Sequence, residues 1–280
     1  MAPLGIIAGL GDLPVQVAEA ATARGQGVYI LRLKGFVEPA LDDYPGEIAG
    51  IAEIGKAFKA FKRAGCEQIC FAGIVKRPDF QSLKPDFKGI SLLPKAIAAA
   101  REGDDALLRF LIGLFEAEGF EVIGADEAAG SLTIGSGLLA GPTPGDAAMA
   151  DLRKAADIAL QMGQLDIGQG AIVANGLVLC VEAQEGTDHM LERCAQLPEE
   201  IRGTETARRG VLVKRPKPEQ ERRIDLPTIG LNTVELAAKA GLAGIGFEAD
   251  GALMLNAEEI KARANALGLF LYGFPKADAT

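Results

Sequence analysis

LGIIAGLGDLPVQVAEAATARGQGVYILRL, residues 4–33, decides the fold of the first half of this chain. Leu4 to Ala8 is a short unbroken apolar run, the mark of a strand buried on both faces. From about Pro14 to Arg24 apolar residues recur with helical spacing, Gly25 and Gly27 punctuate the return, and Val28 to Leu33 reads as a second strand. A helix joining two buried strands makes them parallel, with a right-handed crossover. The unit repeats downstream. Ile54 to Ala64 carries Ala57, Phe58 and Phe61 on one helical face and Lys56, Lys59, Lys62 and Arg63 outside it, and Gln68 to Ala72 follows as a strand. One long helical stretch through Leu92 to Glu118 and a strand over Glu121 to Ala125 complete a doubly wound sheet, with ligands expected near the carboxyl ends of its strands.

Residues 1–130 are therefore expected to form a Rossmann-like N-terminal α/β domain. Residues 131–145, SLTIGSGLLAGPTPG, are rich in Gly and Pro without a sustained period and read as an interdomain linker. After it the pattern changes. A helix over Asp146 to Gln164 precedes Ala171 to Val181, which Asn175-Gly176 breaks as a two-residue hairpin turn, and Asp250-Gly251 repeats that signal. Short strands at Val211 to Val213, Ile245 to Glu248, Ala252 to Leu255 and Leu269 to Tyr272 alternate with helices at Val234 to Ala240 and Ala257 to Leu267. Residues 146–280 are expected to form a C-terminal mixed-sheet α+β domain.

Composition narrows the function classes. The chain has 280 residues, 49% hydrophobic, with no Trp and 5% aromatic residues, so the core is expected to rest on Ala, Leu, Ile, Val and Gly rather than on rings. A formal net charge of −9 argues against nucleic acid, whose phosphates need a basic face. The opening MAPLGIIAGLGDLP lacks a basic n-region and a cleavage pattern, so export is not expected. No run of about eighteen apolar residues suggests a membrane span. Cys66, Cys70, Cys180 and Cys194 have no C-x-x-C spacing and read as buried reduced thiols.

Against this acidic background Lys214, Arg215, Lys217, Arg222 and Arg223 crowd into one Pro-punctuated segment. Guanidinium and ammonium groups so placed suit a phosphate or diphosphate, while a solvated basic loop is the alternative. Asp225 follows on a turn before Leu226-Pro227-Thr228; beside cations its carboxylate stays ionised and can bind Mg²⁺ or take a proton from water, or can simply cap a helix or pair with an arginine. In VEAQEGTDHM, Glu182, Glu185 and Asp188 gather with Thr187 after a strand, where they can orient a sugar hydroxyl, hold a cation or position water; Thr187 or Asp188 as the next helix's cap is the plainer reading. Asp166 and Gln169 precede the same strand pair. His189 is the only histidine, which excludes multi-histidine metal sites and leaves oxygen ligands, hence Mg²⁺ or Mn²⁺ shared with substrate phosphates. Ser136 and Thr143 have no histidine partner for a triad. Gly9-Leu10-Gly11-Asp12-Leu13-Pro14 enters the first helix as a dinucleotide turn would, yet Pro14 replaces the third glycine and Arg32 and Lys34 stand near the end of the second strand. Its backbone donors can meet an anionic or nucleotide group. An NADP-dependent oxidoreductase is one rival reading.

IIAGLGDLP, GDDALLR, DIGQGAIV, VEAQEGTDHMLER, VLVKRPKPEQERRIDLPTIGLNT and GIGFEADGALML occur in one order from Leu4 to Gly273. Together they closely resemble the LpxI-type UDP-2,3-diacylglucosamine pyrophosphatases. Glu221, where aspartate is expected, and Arg101-Glu102 before Gly103 depart from that pattern. The resemblance implies hydrolysis of the diphosphate bond of UDP-2,3-diacylglucosamine to UMP and 2,3-diacylglucosamine 1-phosphate (lipid X), a step of lipid A synthesis. It also implies dependence on a divalent metal, a substrate enclosed between the two domains and water directed at the phosphorus nearer the sugar.

Carried onto this sequence, the resemblance makes Asp225 the catalytic carboxylate; the expected ligands of Mg²⁺ or Mn²⁺ are Asp225 and Asp188, carboxylates beside the cations and the strand end. Substrate contacts fall on Gly11, Asp12, Leu13, Gln169, Glu185, Gly186, Thr187, Lys214, Arg223 and Thr228. The apolar stretch Leu132 to Ala140 offers walls for acyl chains. Such a lipid implies a cytoplasmic enzyme peripheral to the inner membrane, in transient contact with its surface. Whether it acts as a monomer or a homodimer stays open, and a noncatalytic carrier of a nucleotide-linked lipid is the second rival.

Overall fold

The computed structural model describes residues 1–76, 78–130, 132–218, 221–224 and 226–276. They divide into two compact units, Met1–Ser131 with Glu221–Asp225, and Leu132–Gln220 with Leu226–Thr280.

In the first unit, β1 (Leu4–Ala8), α1 (Asp12–Ala23), β2 (Val28–Leu33), β3 (Gly46–Ala49), α2 (Ile54–Ala64), β4 (Gln68–Ala72), α3 (Phe87–Glu102), α4 (Asp104–Ala117), β5 (Glu121–Ile123) and α5 (Ala125–Ala129) follow in order. All five strands are parallel, in the order β3-β2-β1-β4-β5. β1 is buried throughout, as its apolar run requires. The long helix expected over Leu92 to Glu118 is two helices, because Gly103 takes φ 143, ψ 169, a conformation only glycine adopts without strain. Asp104 and Asp105 then occupy the first turn of α4, where negative charge is favoured. The buried core is mostly aliphatic, as expected, but the first unit adds a cluster of rings. Phe58, Phe61, Phe71, Phe115 and Phe120 form one cluster, with Phe58 and Phe115 edge to face at 4.9 Å. Aromatic residues are scarce overall but concentrated beneath α2 and α4.

The second unit contains β6 (Gly137–Ala140), α6 (Asp146–Gln164), β7 (Gly170–Ala174), β8 (Leu177–Val181), α7 (Gly186–Cys194), α8 (Glu199–Arg202), β9 (Val211–Lys214), β10 (Thr228–Ile229), α9 (Leu231–Lys239), β11 (Gly244–Glu248), β12 (Leu253–Met254), α10 (Ala257–Leu267) and β13 (Phe270–Phe274). Six strands run in the order β6-β13-β11-β9-β7-β8. β9, β11 and β13 are mutually parallel, while β6, β7 and β8 are added antiparallel, so the sheet is mixed. Ile172, Cys180, Leu212, Ile245 and Leu271 face one core with α7, α9 and α10; Ala171, Val173, Val211 and Val213 face another with α6. The stretch expected as linker thus contains β6. Leu132, Ile134 and Ala140 are buried in it, which removes most of the expected acyl-chain wall and leaves Leu138 exposed.

Asn175-Gly176 makes the β7–β8 hairpin, with φ of 49° and 76°. Asp151 of α6 pins it, accepting from the N–H groups of Asn175 at 2.8 Å and Gly176 at 2.7 Å. Asp151→Ala removes both charge-assisted bonds and should lower stability by about 2–3 kcal/mol, read as a shift of the denaturant midpoint at unchanged slope. Asp250-Gly251 makes no hairpin. The turn sends the chain into β12, which pairs in parallel with β10, because Asp250 donates its N–H to Ile134 and β11 is already flanked by β9 and β13. All four cysteines are buried and free of disulfides; burial pushes the Cys66 thiol up to about 11 and Cys70 up to about 12, and Cys194 is pushed up by its contact with Cys180 and by burial. No helix among the described residues is long and apolar enough to cross a membrane.

Candidate active site

In the first unit the turn after β1 stays bridged to the segment after β4. Leu10 and Ile74 exchange backbone hydrogen bonds of 3.0 and 2.8 Å there. Gly9 must lack a side chain, since a Cβ would stand 2.6 Å from the Ile74 carbonyl oxygen. Gly11, at φ 94, donates its N–H to Glu38 Oε2 at 3.0 Å, so a carboxylate of the same chain already meets the donor expected to face an anion. Asp12 is exposed and Leu13 half-buried in the first turn of α1. Arg32 is turned inward: it donates to the carbonyl oxygens of Leu41 and Tyr44 and lies 3.5 Å from Asp42. That engagement removes the motive for reading it as a contact for an NADP phosphate.

Residues 221–224 also belong to this unit. Arg223 forms a two-pronged pair with Glu221, both contacts 3.0 Å, and a third bond of 2.7 Å to Glu116. Those acids raise its pKa further, and the guanidinium in turn holds the Glu221 carboxyl below the usual range. Glu221 also donates its N–H to Asp105. The side chain longer than the expected aspartate is what reaches Arg223, and a phosphate here would compete with two carboxylates. The five cations of the basic segment are shared between the two units. Lys214, Arg215 and Lys217 belong to the second unit and Arg222 and Arg223 to the first.

The second unit gathers more of the expected residues, at the carboxyl ends of β8, β9 and β11. Gly170 lies opposite Lys214 in the β7–β9 register, and Glu182 donates its N–H to the Gly170 carbonyl at 2.9 Å. Lys214 is 5% exposed and its Nζ donates to the Thr228 carbonyl at 3.4 Å. The N–H of Arg215 reaches the Gln169 carbonyl at 2.9 Å. Thr187 lies inside α7, one residue past its start, and so does not cap it; its Oγ1 donates to Glu182 Oε1 at 3.0 Å. Gln169, Thr187, Lys214 and Thr228 are thus brought together around Gly170.

Gly186 opens α7 at φ 78. Glu185, held below its ordinary pKa by its own backbone N–H and by Arg193, pairs with Arg193 at 2.5 Å. Asp188 accepts from Asn232 at 2.8 Å. His189 is exposed and lies 2.9 Å from Glu192, which raises its pKa and gives it a surface role. Lys217 pairs with Asp166 at 2.6 Å. Asp225, expected as catalytic carboxylate and metal ligand, lies outside the described residues.

Sequence reasoning missed the ion pair beneath these residues. Arg215 Nε lies 2.7 Å from Glu248 Oε2, with both side chains almost wholly buried. A charge ending an otherwise apolar buried strand was the available signal, but its partner follows a strand distant in sequence. A buried cation at strand carboxyl ends, next to acceptors and a hydroxyl, can bind and neutralise a phosphorylated ligand.

Residues 3–132 match the LpxI N-terminal domain and residues 135–272 the LpxI C-terminal domain. A protein of Caulobacter vibrioides named UDP-2,3-diacylglucosamine pyrophosphatase LpxI is 54% identical over 273 residues, spanning 98% of each chain. With both domain matches in sequence order and this likeness running almost end to end, the chain belongs to the LpxI family.

Proposed function

We propose that this chain hydrolyses the diphosphate bond of UDP-2,3-diacylglucosamine, releasing UMP and 2,3-diacylglucosamine 1-phosphate, as a cytoplasmic enzyme that works at the inner-membrane surface where so lipidic a substrate resides. The observation that carries the reading is the near full-length likeness to the Caulobacter pyrophosphatase. The buried Lys214 ammonium supports it, since phosphoryl transfer is accelerated chiefly by positioning and by charge fixed in advance. In this reading Lys214 takes the diphosphate oxygens, Gln169 and Thr187 orient the groups beside them, and the Asp225 carboxylate directs the attacking water and accepts its proton.

Among the described residues no three His, Cys, Asp or Glu side chains are grouped to hold a metal, and Asp188 shares a carboxylate oxygen with Asn232. In this reading Asp188 and Asp225 would be oxygen ligands of Mg²⁺ or Mn²⁺, with phosphate oxygens and water completing its shell. When bound, the cation would draw charge from the diphosphate.

The test is incubation of purified protein with UDP-2,3-diacylglucosamine and Mg²⁺ or Mn²⁺, following UMP by chromatography. UMP that appears with metal and disappears with chelator is expected. Tight binding without product under either metal would replace the hydrolase by a noncatalytic carrier. Lys214→Ala should raise KM roughly tenfold or more, the loss of a charged contact worth about 1.4 kcal/mol or above. An unchanged KM would remove Lys214 from the phosphate site.

A further inference from the structure

Glu182 is only 5% exposed, yet its two carboxylate oxygens differ. Oε1 receives the Thr187 hydroxyl at 3.0 Å, whereas Oε2 is buried with no hydrogen-bond partner among the described residues. A buried carboxylate oxygen without a donor calls for one. Its direction follows from the sheet. Ile172, Cys180 and Leu212 face the same core, and two residues along their strands the same face carries Gly170, Glu182 and Lys214. Gly170 lies opposite Lys214, and a Cβ on Gly170 would stand 2.4 Å from Glu182 Oε2. The Glu182 carboxylate therefore leans over the bare glycine on the face that carries the buried lysine. Any residue larger than glycine would push it away.

We infer that Glu182 is a substrate-contacting acceptor: its Oε2 takes a hydrogen bond from a hydroxyl or amide N–H of the ligand whose phosphate Lys214 holds. The inference rests on the hydrolase reading and assigns this buried residue a role in the same site. The donor belongs either to the acylated sugar or to the nucleoside, since both carry such groups. With Oε1 kept by Thr187, Glu182→Gln turns the ligand-facing acceptor into an N–H donor at nearly constant volume. Glu182→Asp keeps the charge and withdraws it by one methylene.

The experiment compares wild type, Glu182→Gln and Glu182→Asp by UMP release and by calorimetric binding of UMP and of 2,3-diacylglucosamine 1-phosphate separately, over a series of Mg²⁺ concentrations. Wild-type cleavage tests the hydrolase reading independently of the variants. The expected result for a folded variant is a rise in KM of about tenfold with kcat changed far less, the signature of a lost ground-state contact. Weaker binding should be confined to one of the two products, and that product names the half of the substrate that donates. Should Glu182→Gln not fold, Glu182→Asp must show the same selective weakening. Unchanged KM and unchanged product binding would overturn the inference, leaving Glu182 a structural carboxylate. A loss fully restored by excess Mg²⁺ would overturn it as well, because Glu182 would then be serving a cation.

Discussion

Asp225→Ala abolishes turnover of UDP-2,3-diacylglucosamine, by roughly 10³-fold or more in kcat, while substrate affinity changes far less; a factor of 10³ corresponds to about 4 kcal/mol of transition-state stabilisation. The expectation follows from the role the LpxI resemblance gives this residue and from what remains without it. In the proposed reading Lys214 would still neutralise the diphosphate and the groups around Gly170 would still orient it, but no carboxylate would take the proton of the attacking water. The pattern separates chemistry from binding: Lys214→Ala acts mainly on KM and Asp225→Ala mainly on kcat. Steady-state kinetics with a direct binding measurement reads both. A variant that retains a tenth or more of wild-type kcat would take Asp225 out of the mechanism.

The second large effect is on stability. Glu248→Ala leaves the Arg215 guanidinium, whose side chain is 6% exposed, without the carboxylate now 2.7 Å from it. Breaking a buried ion pair from one side costs about 3–5 kcal/mol, because the surviving charge keeps its desolvation penalty. At about 2–4 °C per kcal/mol, Tm should fall by roughly 10 °C. Replacing both partners, as in Arg215→Met with Glu248→Leu, should recover most of that loss, since an apolar pair carries no such penalty. The pair also has a bearing on the site: the Arg215 N–H holds the Gln169 carbonyl and Lys214 is the preceding residue. A Glu248→Ala protein melting within about 1 °C of wild type would show that the pair contributes little.

Much of the fold was legible because the sequence repeats its instructions locally. β1, β2, α2 and β4 fall where apolar runs, an amphipathic face and flanking glycines placed them, and α6 and α10 likewise. β3 escaped notice: its residues are mostly partly or wholly exposed, so no apolar run or alternation marks it, and its place is set by pairing with β2. The break at Gly103 escaped although the sequence marks it: Arg101-Glu102-Gly103-Asp104-Asp105 interrupts the apolar periodicity with a glycine followed by two acids that open the next helix. Asp250-Gly251 carried the right residues for a tight turn but not its consequence. Whether a turn returns a strand to its neighbour depends on which edge is still unpaired, and β11 has none.

The site divides in the same way. Lys214 at the end of an apolar strand, and Gln169 and Thr187 beside another strand's end, could be singled out because polar residues ending buried strands are conspicuous. In the basic segment Arg215, Lys217 and Arg223 meet carboxylates that spacing alone does not reveal, Glu248, Asp166, Glu116 and the nearer Glu221. The Glu38 contact to Gly11 and the Thr187 contact to Glu182 were likewise set by tertiary placement.

Hydrolysis in ¹⁸O-labelled water, with both products resolved by mass spectrometry, tests the central claim most directly. The account predicts one ¹⁸O atom in 2,3-diacylglucosamine 1-phosphate and none in UMP, the result of water attacking the phosphorus nearer the sugar with UMP as leaving group. Intact substrate after prolonged incubation of folded protein with Mg²⁺ or Mn²⁺ would contradict the hydrolase itself, and label in UMP would contradict the direction of attack.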